Sequence, residues 1–430
     1  MNKQILHIAI PSIISNITVP LCAMVDTIIV GHLGDAAYIG ALAVGGLLFN
    51  MTYWLFSFLR MGTGGLTAQA YGANNTVSAQ NILLRSLIVA LSVSSLLLLF
   101  QSAILHIAFH FIDATIDVQT NASIYFNILI WGAPAVLCLY SFIGWFLGMQ
   151  NARIPMVIAI VQNIVNIIAS SILVFCMHLK VEGVAMGTLI AQYTGLLLAL
   201  TIGCYKYHWH KTIIVWKNIF RKTDFMQFFK VNRDIFSRTL YLILVTTYFT
   251  SFGSSQGEGI LATNTLLMQF FIIFSYFMDG FAYAGEAISG KCYGEKNAKQ
   301  FSKLTSRLFI WGIGIATLFT LLYSMFGKTF LHILTNEQSV IAQAFHYLFF
   351  VCLIPIVSFS AFLFDGLFIG TTSTREMLNS MRIASLTFFA IILIFNKGNC
   401  ILWTAFLTYL GMRGLMQFLL FKSVKKKFNI

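Results

Sequence analysis

Residues 49–75 read FNMTYWLFSFLRMGTGGLTAQAYGANN, and residues 271–297 read FIIFSYFMDGFAYAGEAISGKCYGEKN. Phe49, Tyr71, Gly72 and Asn75 fall on Phe271, Tyr293, Gly294 and Asn297, an offset of 222 residues (49 to 271). A second pair keeps that offset. In GWFLGMQNARIPM (144–156) and GLFIGTTSTREML (366–378), Gly144, Phe146, Gly148 and Arg153 fall on Gly366, Phe368, Gly370 and Arg375. Either match alone is weak. One offset shared by two distant sites is hard to reach by chance, and an internal repeat decides architecture. The chain therefore reads as two copies of one plan.

Composition gives the medium. The 430 residues are 58% hydrophobic and only 10% charged, with mean hydropathy +0.82; a soluble domain carries about 25% charge. Long, nearly charge-free runs recur throughout, as in a polytopic membrane protein. Charged and turn-rich breaks place twelve spans near 5–31, 38–70, 80–108, 121–148, 155–177, 183–205, 234–253, 259–289, 302–325, 341–370, 379–396 and 398–421. A helix crosses the hydrocarbon with about 20 residues, so the longer runs predict tilt or extension beyond the bilayer. The first run is too long for a signal peptide, contains Pro11, Asn16 and Pro20, and has no clean cleavage site. It reads as a mature, locally irregular helix.

The fold class expected is all-α integral membrane, with twelve transmembrane helices in two pseudo-symmetric six-helix lobes. The lobes are residues 1–205 and 233–430, joined by a basic connection at 206–232. Six is even, so both halves keep one orientation and are related by an axis along the membrane normal. Repeats of this kind characterise secondary transporters, with sites near the bilayer middle and access alternating between sides.

Charge sets the orientation. Of 27 Lys and Arg, an N-terminus-inside arrangement leaves only Lys180, Lys328 and Lys397 outside, with Arg60 and Arg413 within spans. The rest gather inside, including Lys206, Lys211, Lys217, Arg221, Lys222 and Lys230 of the central connection and Lys422, Lys425, Lys426 and Lys427 of the tail. That asymmetry is the positive-inside rule, so both termini read as cytoplasmic and the membrane as the cell (inner) membrane. The net charge of +13 then reflects topology and contact with anionic lipid. No basic domain exists to bind nucleic acid. The seven cysteines are scattered, mostly within spans, and read as small hydrophobes. The HWH at 208–210 lacks a third metal ligand nearby. The chain reads as a monomer with no cofactor and no metal, apart from Na⁺ as an alternative ion at Asp26.

Ionisable groups inside spans cost at least ~2.5–3.5 kcal/mol at a helix centre, and a chain keeps one when it faces a cavity, a partner or an ion. Four acids sit there: Asp26, Asp279, Glu286 and Asp365. Asp26 lies near Asn16, Thr18 and Pro20. Pro20 removes a backbone donor and kinks the helix, so freed carbonyls and a carboxylate can meet a cation. Burial penalises the charged form, so such a group can take a proton on one side and release it on the other. The bland reading is an Asp that bonds a neighbouring helix for packing. In the fifth span, Gln162, Asn163, Asn166 and Ser170 form a polar stripe that can line a cavity, complete an ion's oxygen shell or serve as packing glue. Asp279 and Glu286 share a face, and with Asp365 and Arg60 they suggest a gate or locking ion pair near the inner side; Glu286 and Asp365 can also simply reach the inner interface. The 41 Phe and 16 Met mostly face lipid or fill helix contacts, and a minority would line a pocket for flat cations. No Walker loop, HExxH or GxSxG appears, so the chain reads as no enzyme, and an ion gradient is its energy source.

The segments AIPSIISNITVPLCAMVDTIIVGHLG, FLRMGTGGLTAQAYG, VEGVAMGTLIAQYTG, LATNTLLMQFFIIFSYFMDGFAYAGEAISG and DGLFIGTTSTREMLNSM resemble the multidrug and toxic compound extrusion (MATE) family, in particular its branch named after DNA-damage-inducible protein F (DinF). The likeness keeps order and spacing over nearly the whole chain. It implies two six-helix lobes opening as a V around a central cleft. It also implies that Asp26 is the acid linked to proton or sodium coupling, with Asn166 and Thr188 matching polar residues used in some members. A second acid of those members falls on Ser170, a departure that lowers the charge of the site and favours protonation of Asp26 over a sodium site. The function expected is efflux of amphipathic, cationic, drug-like molecules in exchange for H⁺ or Na⁺. The alternative is a flippase for a lipid-linked saccharide or other lipid-like substrate.

Overall fold

The computed structural model describes residues 1–33, 36–112, 115–207, 209, 219–395 and 398–428. His208, His210, Lys211, Lys217 and Lys397 lie outside the described residues. All regular structure among the described residues is helical. The first half contains α1 (Asn2–Gly31), α2 (Ala36–Leu55), α3 (Phe58–Gly72), α4 (Thr76–Leu99), α5 (Gln101–Phe111), α6 (Ile116–Leu129), α7 (Ala133–Gly148), α8 (Arg153–Ser171) and α9 (Val181–Lys206). The second contains α10 (Lys222–Ser255), α11 (Glu258–Gly294), α12 (Ala298–Leu334), α13 (Gln338–Gly370), α14 (Thr374–Phe395) and α15 (Asn399–Lys426).

Among the described residues, ten helical stretches are long and apolar enough to cross a membrane. They occupy ten of the twelve expected spans, with α2–α3 and α6–α7 each forming one stretch. The remaining two, seventh and twelfth, fall on α10 and α15, helices of 34 and 28 residues that carry polar groups within the span, Arg238 and Thr246 in one and Arg413 and Gln417 in the other. The expected irregularity of the first span does not break it: α1 stays helical through Pro11 and Pro20. Each proline deletes one ladder bond, and neighbouring groups re-satisfy what is freed.

The sequence repeat is a repeat of backbone geometry. Asn74 and Lys296 both adopt left-handed φ of 54°, and Gln150 and Thr372 do so at 62° and 50°, each pair at the same offset. The next residues, Asn75 and Asn297, cap α4 and α12 by accepting from the Ser78 and Gln300 amides at 2.9 and 3.0 Å. Close approaches repeat as well. A Cβ on Gly144 would stand 2.2 Å from the Arg60 carbonyl oxygen, and one on Gly366 would stand 2.1 Å from that of Ala282. No side chain fits there, which is why these positions match across the halves.

The chain forms two compact units. One holds Ile14–Thr67 and Asn75–Phe229, the other Met1–Ile13, Ala68–Asn74 and Lys230–Ile430. In the first, Trp145 donates to the Ala79 carbonyl at 2.8 Å and packs edge-on to Trp209. Buried Arg85 of α4 donates to the Ile219 carbonyl at 2.7 Å and pairs with Asp224 at 2.9 Å, fixing the end of the basic connection. In the second, α3's last turn meets α11 reciprocally: Gly72 abuts the Lys291 carbonyl and Gly294 that of Gln69, all repeat-related positions.

Candidate functional site

The first unit gathers a polar chain around Asp26 of α1. Asp26 and Asn166 are buried at 6% and 1% exposure. The sequence puts a short-chain carboxylate inside an apolar helix, and α8 and α9 bring Asn166 and Thr188 beside it. Asn166 accepts from the Cys22 thiol at 3.0 Å and donates to Thr188 Oγ1 at 2.9 Å. The Thr188 hydroxyl has one proton and two acceptors, the Val184 carbonyl at 3.0 Å and Asp26 Oδ2 at 3.5 Å. The other oxygen, Asp26 Oδ1, is buried without a hydrogen-bond partner. A buried oxygen left without a donor is costly for a carboxylate.

The neighbouring stripe divides by target. Asn163 donates to the Thr18 carbonyl at 2.8 Å, tying α8 to α1 two residues before Pro20. Gln162 lies over Gly195 of α9, where a Cβ would meet its amide carbon at 2.4 Å. Ser170 lies against Gly187, whose Cβ would stand 2.2 Å from its Oγ, and that hydroxyl has no partner. Thus Asp26, Asn166 and Thr188 come together with Cys22, which sequence reasoning missed, while Ser170 marks the α8–α9 contact and bonds none of them. Asn16 is half-buried and Pro20 exposed. Arg60 is buried on α3, its backbone against Gly144 of α7.

The second unit carries a different arrangement. Asp365 of α13 is paired with Arg238 of α10 and Arg413 of α15, and it also accepts from Gln417. All four side chains are buried. Arg413 stands 5.6 Å over the Phe362 ring, a cation–π contact. Two guanidinium groups share the Asp365 carboxylate, with Asp279 close enough to act on both, and Arg238 Nε, Arg413 Nε and Gln417 Oε1 have no partners. The sequence offered Arg60 as the cation for the three inner acids; Asp365 takes Arg238 and Arg413 instead. Arg238 was hidden by its place at the charged end of a span, while Arg413, visible inside a span, needed only to be asked for a carboxylate. Glu286 is buried and Asp279 half-buried on α11. Also unforeseen are the reciprocal amide bonds of Asn264 and Asn399 at 2.8 and 2.9 Å, with Trp403 donating to Asn264 at 2.9 Å.

Comparison with known proteins agrees with this architecture. The MatE family profile matches residues 11–172 and 235–395, one match in each half. DNA damage-inducible protein F of Escherichia coli K12 is 36% identical, over 96% of this chain and 90% of its own. Protein DETOXIFICATION 44 of Arabidopsis thaliana, a chloroplastic protein, is 21% identical, over 96% of this chain and 81% of its own. Among solved structures, a MATE protein in its bent conformation superposes with TM-score 0.90 at 18% identity, covering 100% of this chain and 96% of its own. A Pyrococcus furiosus transporter of the MOP superfamily, described as having a binding pocket of reverse polarity, gives 0.86 at 18% identity, covering 100% and 96%. The chain therefore belongs to the MatE family of multidrug and toxic compound extrusion transporters.

Proposed function

We propose that this transporter is a secondary antiporter of the cell (inner) membrane that exports amphipathic, cationic organic compounds in exchange for protons taken up at Asp26. One observation carries the reading: a buried carboxyl with one oxygen lacking a donor and the other at 3.5 Å from the Thr188 hydroxyl. The Thr188 proton can serve the carboxylate or the Val184 carbonyl, not both. With Asp26 charged, Thr188 turns to it and draws α1 toward α8 and α9. With Asp26 protonated, the acid needs no donor and Thr188 returns to its own helix. Coupling follows when drug and proton favour opposite states by their differential affinity. A functional division into 1–205 and 233–430 around 206–232, cytoplasmic termini and a monomeric chain belong to the same proposal.

Sodium is the less favoured ion. It seeks several oxygens, and the Ser170 hydroxyl bonds none of the groups around Asp26. A second reading, export of an anionic lipid-like substrate such as a lipid-linked saccharide, is favoured by a separate observation, the buried Nε donors of Arg238 and Arg413 that have no partner.

Purified protein in liposomes, loaded with a cationic dye, distinguishes these. A pH gradient should drive dye export, a Na⁺ gradient alone should not, and Asp26→Asn should abolish export. Export driven by Na⁺ alone, or unchanged in Asp26→Asn, would overturn proton coupling. Transport of anionic amphiphiles with no cationic transport would install the second reading.

A further inference from the structure

α12 begins with Lys299, Lys303 and Arg307, spaced four apart and so stacked on one exposed face. Like charges at that spacing repel one another. α12 contains no Asp or Glu, and neither does α15, which ends in Lys422, Lys425 and Lys426. Nothing on these helices neutralises the stack, so it asks for an external anion.

Beside it lies a groove of about 310 Å³ between α12, α13 and α15. Five aromatic rings form its walls: Phe301, Phe309, Phe364, Phe418 and Phe421. Lys425 stands at one side, 5.8 Å over the Phe421 ring. Ser302 and Ser306 line both the groove and the shallow basic depression, so the two are continuous. The combination is a cationic, hydroxyl-bearing head site opening into a greasy slot.

We propose that this surface is a binding site for an anionic phospholipid. Its phosphate sits over Lys299, Lys303 and Arg307 with the Ser302 and Ser306 hydroxyls as further donors, and an acyl chain enters the phenylalanine groove. The basic ends place it at the inner leaflet, where anionic headgroups and positive residues meet. A free phosphate would use the charges but not the slot, and a zwitterionic lipid would use the slot with a weaker head contact.

Native mass spectrometry of delipidated protein titrated with phosphatidylglycerol, phosphatidylethanolamine or inorganic phosphate tests this. The wild type should retain phosphatidylglycerol about tenfold better than phosphatidylethanolamine, given what each basic residue contributes near an anionic headgroup. K299Q/K303Q/R307Q should lose that preference. Phe418→Gln, at an exposed position, should weaken retention of both lipids while leaving the preference. The control K206Q/R221Q/K222Q removes the same charge from exposed positions of the other unit and should leave retention unchanged. Equal losses in both triple variants would reduce the effect to diffuse electrostatics. Equal retention of the two lipids, or displacement of phosphatidylglycerol by inorganic phosphate, would also overturn the site.

Discussion

The two halves share a scaffold and differ where chemistry would reside. Applying the repeat offset to Asp26 and Asn166 leads to Tyr248 and Phe388, whose rings meet edge to face at 6.1 Å. Applied in reverse to Arg238 and Asp365, it leads to Asn16 and Ile143. A third set follows suit. The hydroxyl chain from Thr63 to Ser86 to Ser141, at 2.8 and 2.7 Å, corresponds to Gly285, Leu308 and Leu363, which pack as apolar groups. Backbone-determining positions are kept in both halves, while the buried acids Asp26 and Asp365 are each kept in only one. The first half holds an acid with one oxygen lacking a donor, which the proposed proton coupling would use. The second holds an acid under two cations, suited to keeping it. The frame is common to both halves, and the buried polar groups are particular to each.

The sharpest way to break this comparison is to exchange the roles. Asp26→Asn should lower pH-driven export to the level of empty liposomes while shifting stability by no more than about 1 kcal/mol, since it keeps shape and removes a charge. Tyr248→Phe, at the matching position, should export normally. Loss of transport in Tyr248→Phe with survival in Asp26→Asn would reverse the assignment of the halves.

Asp365→Asn should act on the fold instead. It strands two buried guanidinium groups, and breaking a buried pair costs about 3–5 kcal/mol, read as a lower thermal unfolding midpoint in detergent. Replacing the cluster together, as Arg238→Met, Asp365→Leu and Arg413→Met, should recover most of that loss, because apolar groups of similar size carry no desolvation penalty. A stable triple variant that no longer transports would show that the cluster serves the substrate as well as the fold. A smaller loss, about 1–3 kcal/mol, is expected for Asn264→Leu, which leaves the Asn399 amide and the Trp403 indole N–H without their acceptor.

The elements that repeat were legible because they rest on local rules. Left-handed backbone at Asn74 and Lys296, the Asn75 and Asn297 caps, and glycines pressed on backbone leave sequence marks at fixed spacing. Span lengths were legible from the absence of charge. The contacts that make the sites were not. Cys22 meets Asn166 across 144 residues, and no periodicity announces such a pair. Arg238 was absorbed into the positive-inside pattern, which explains basic residues near a span's end without asking what they touch. The division of compact units inside α1, after Ile13, is equally silent in composition, because both parts of that helix are apolar.

Ser170 gives the smallest effect and the finest test. Sequence spacing sets it one turn from Asn166, as a ligand candidate for the same ion. In the folded chain its hydroxyl is fully buried against Gly187 and bonds nothing. A buried hydroxyl without a partner gives up its hydration for no return, so Ser170→Ala should hold stability or raise it by up to about 1 kcal/mol. Export should be unchanged, since the Asn166–Thr188–Asp26 chain does not pass through it. Thermal unfolding and pH-driven dye export, measured on the same preparation, separate the readings. If Ser170→Ala lowers export without lowering stability, the hydroxyl joins the site in another state of the cycle. The first half's chemistry would then extend along α8 beyond Cys22, Asn166 and Thr188, the three groups that meet around Asp26, and its contrast with the ion-paired second half would widen.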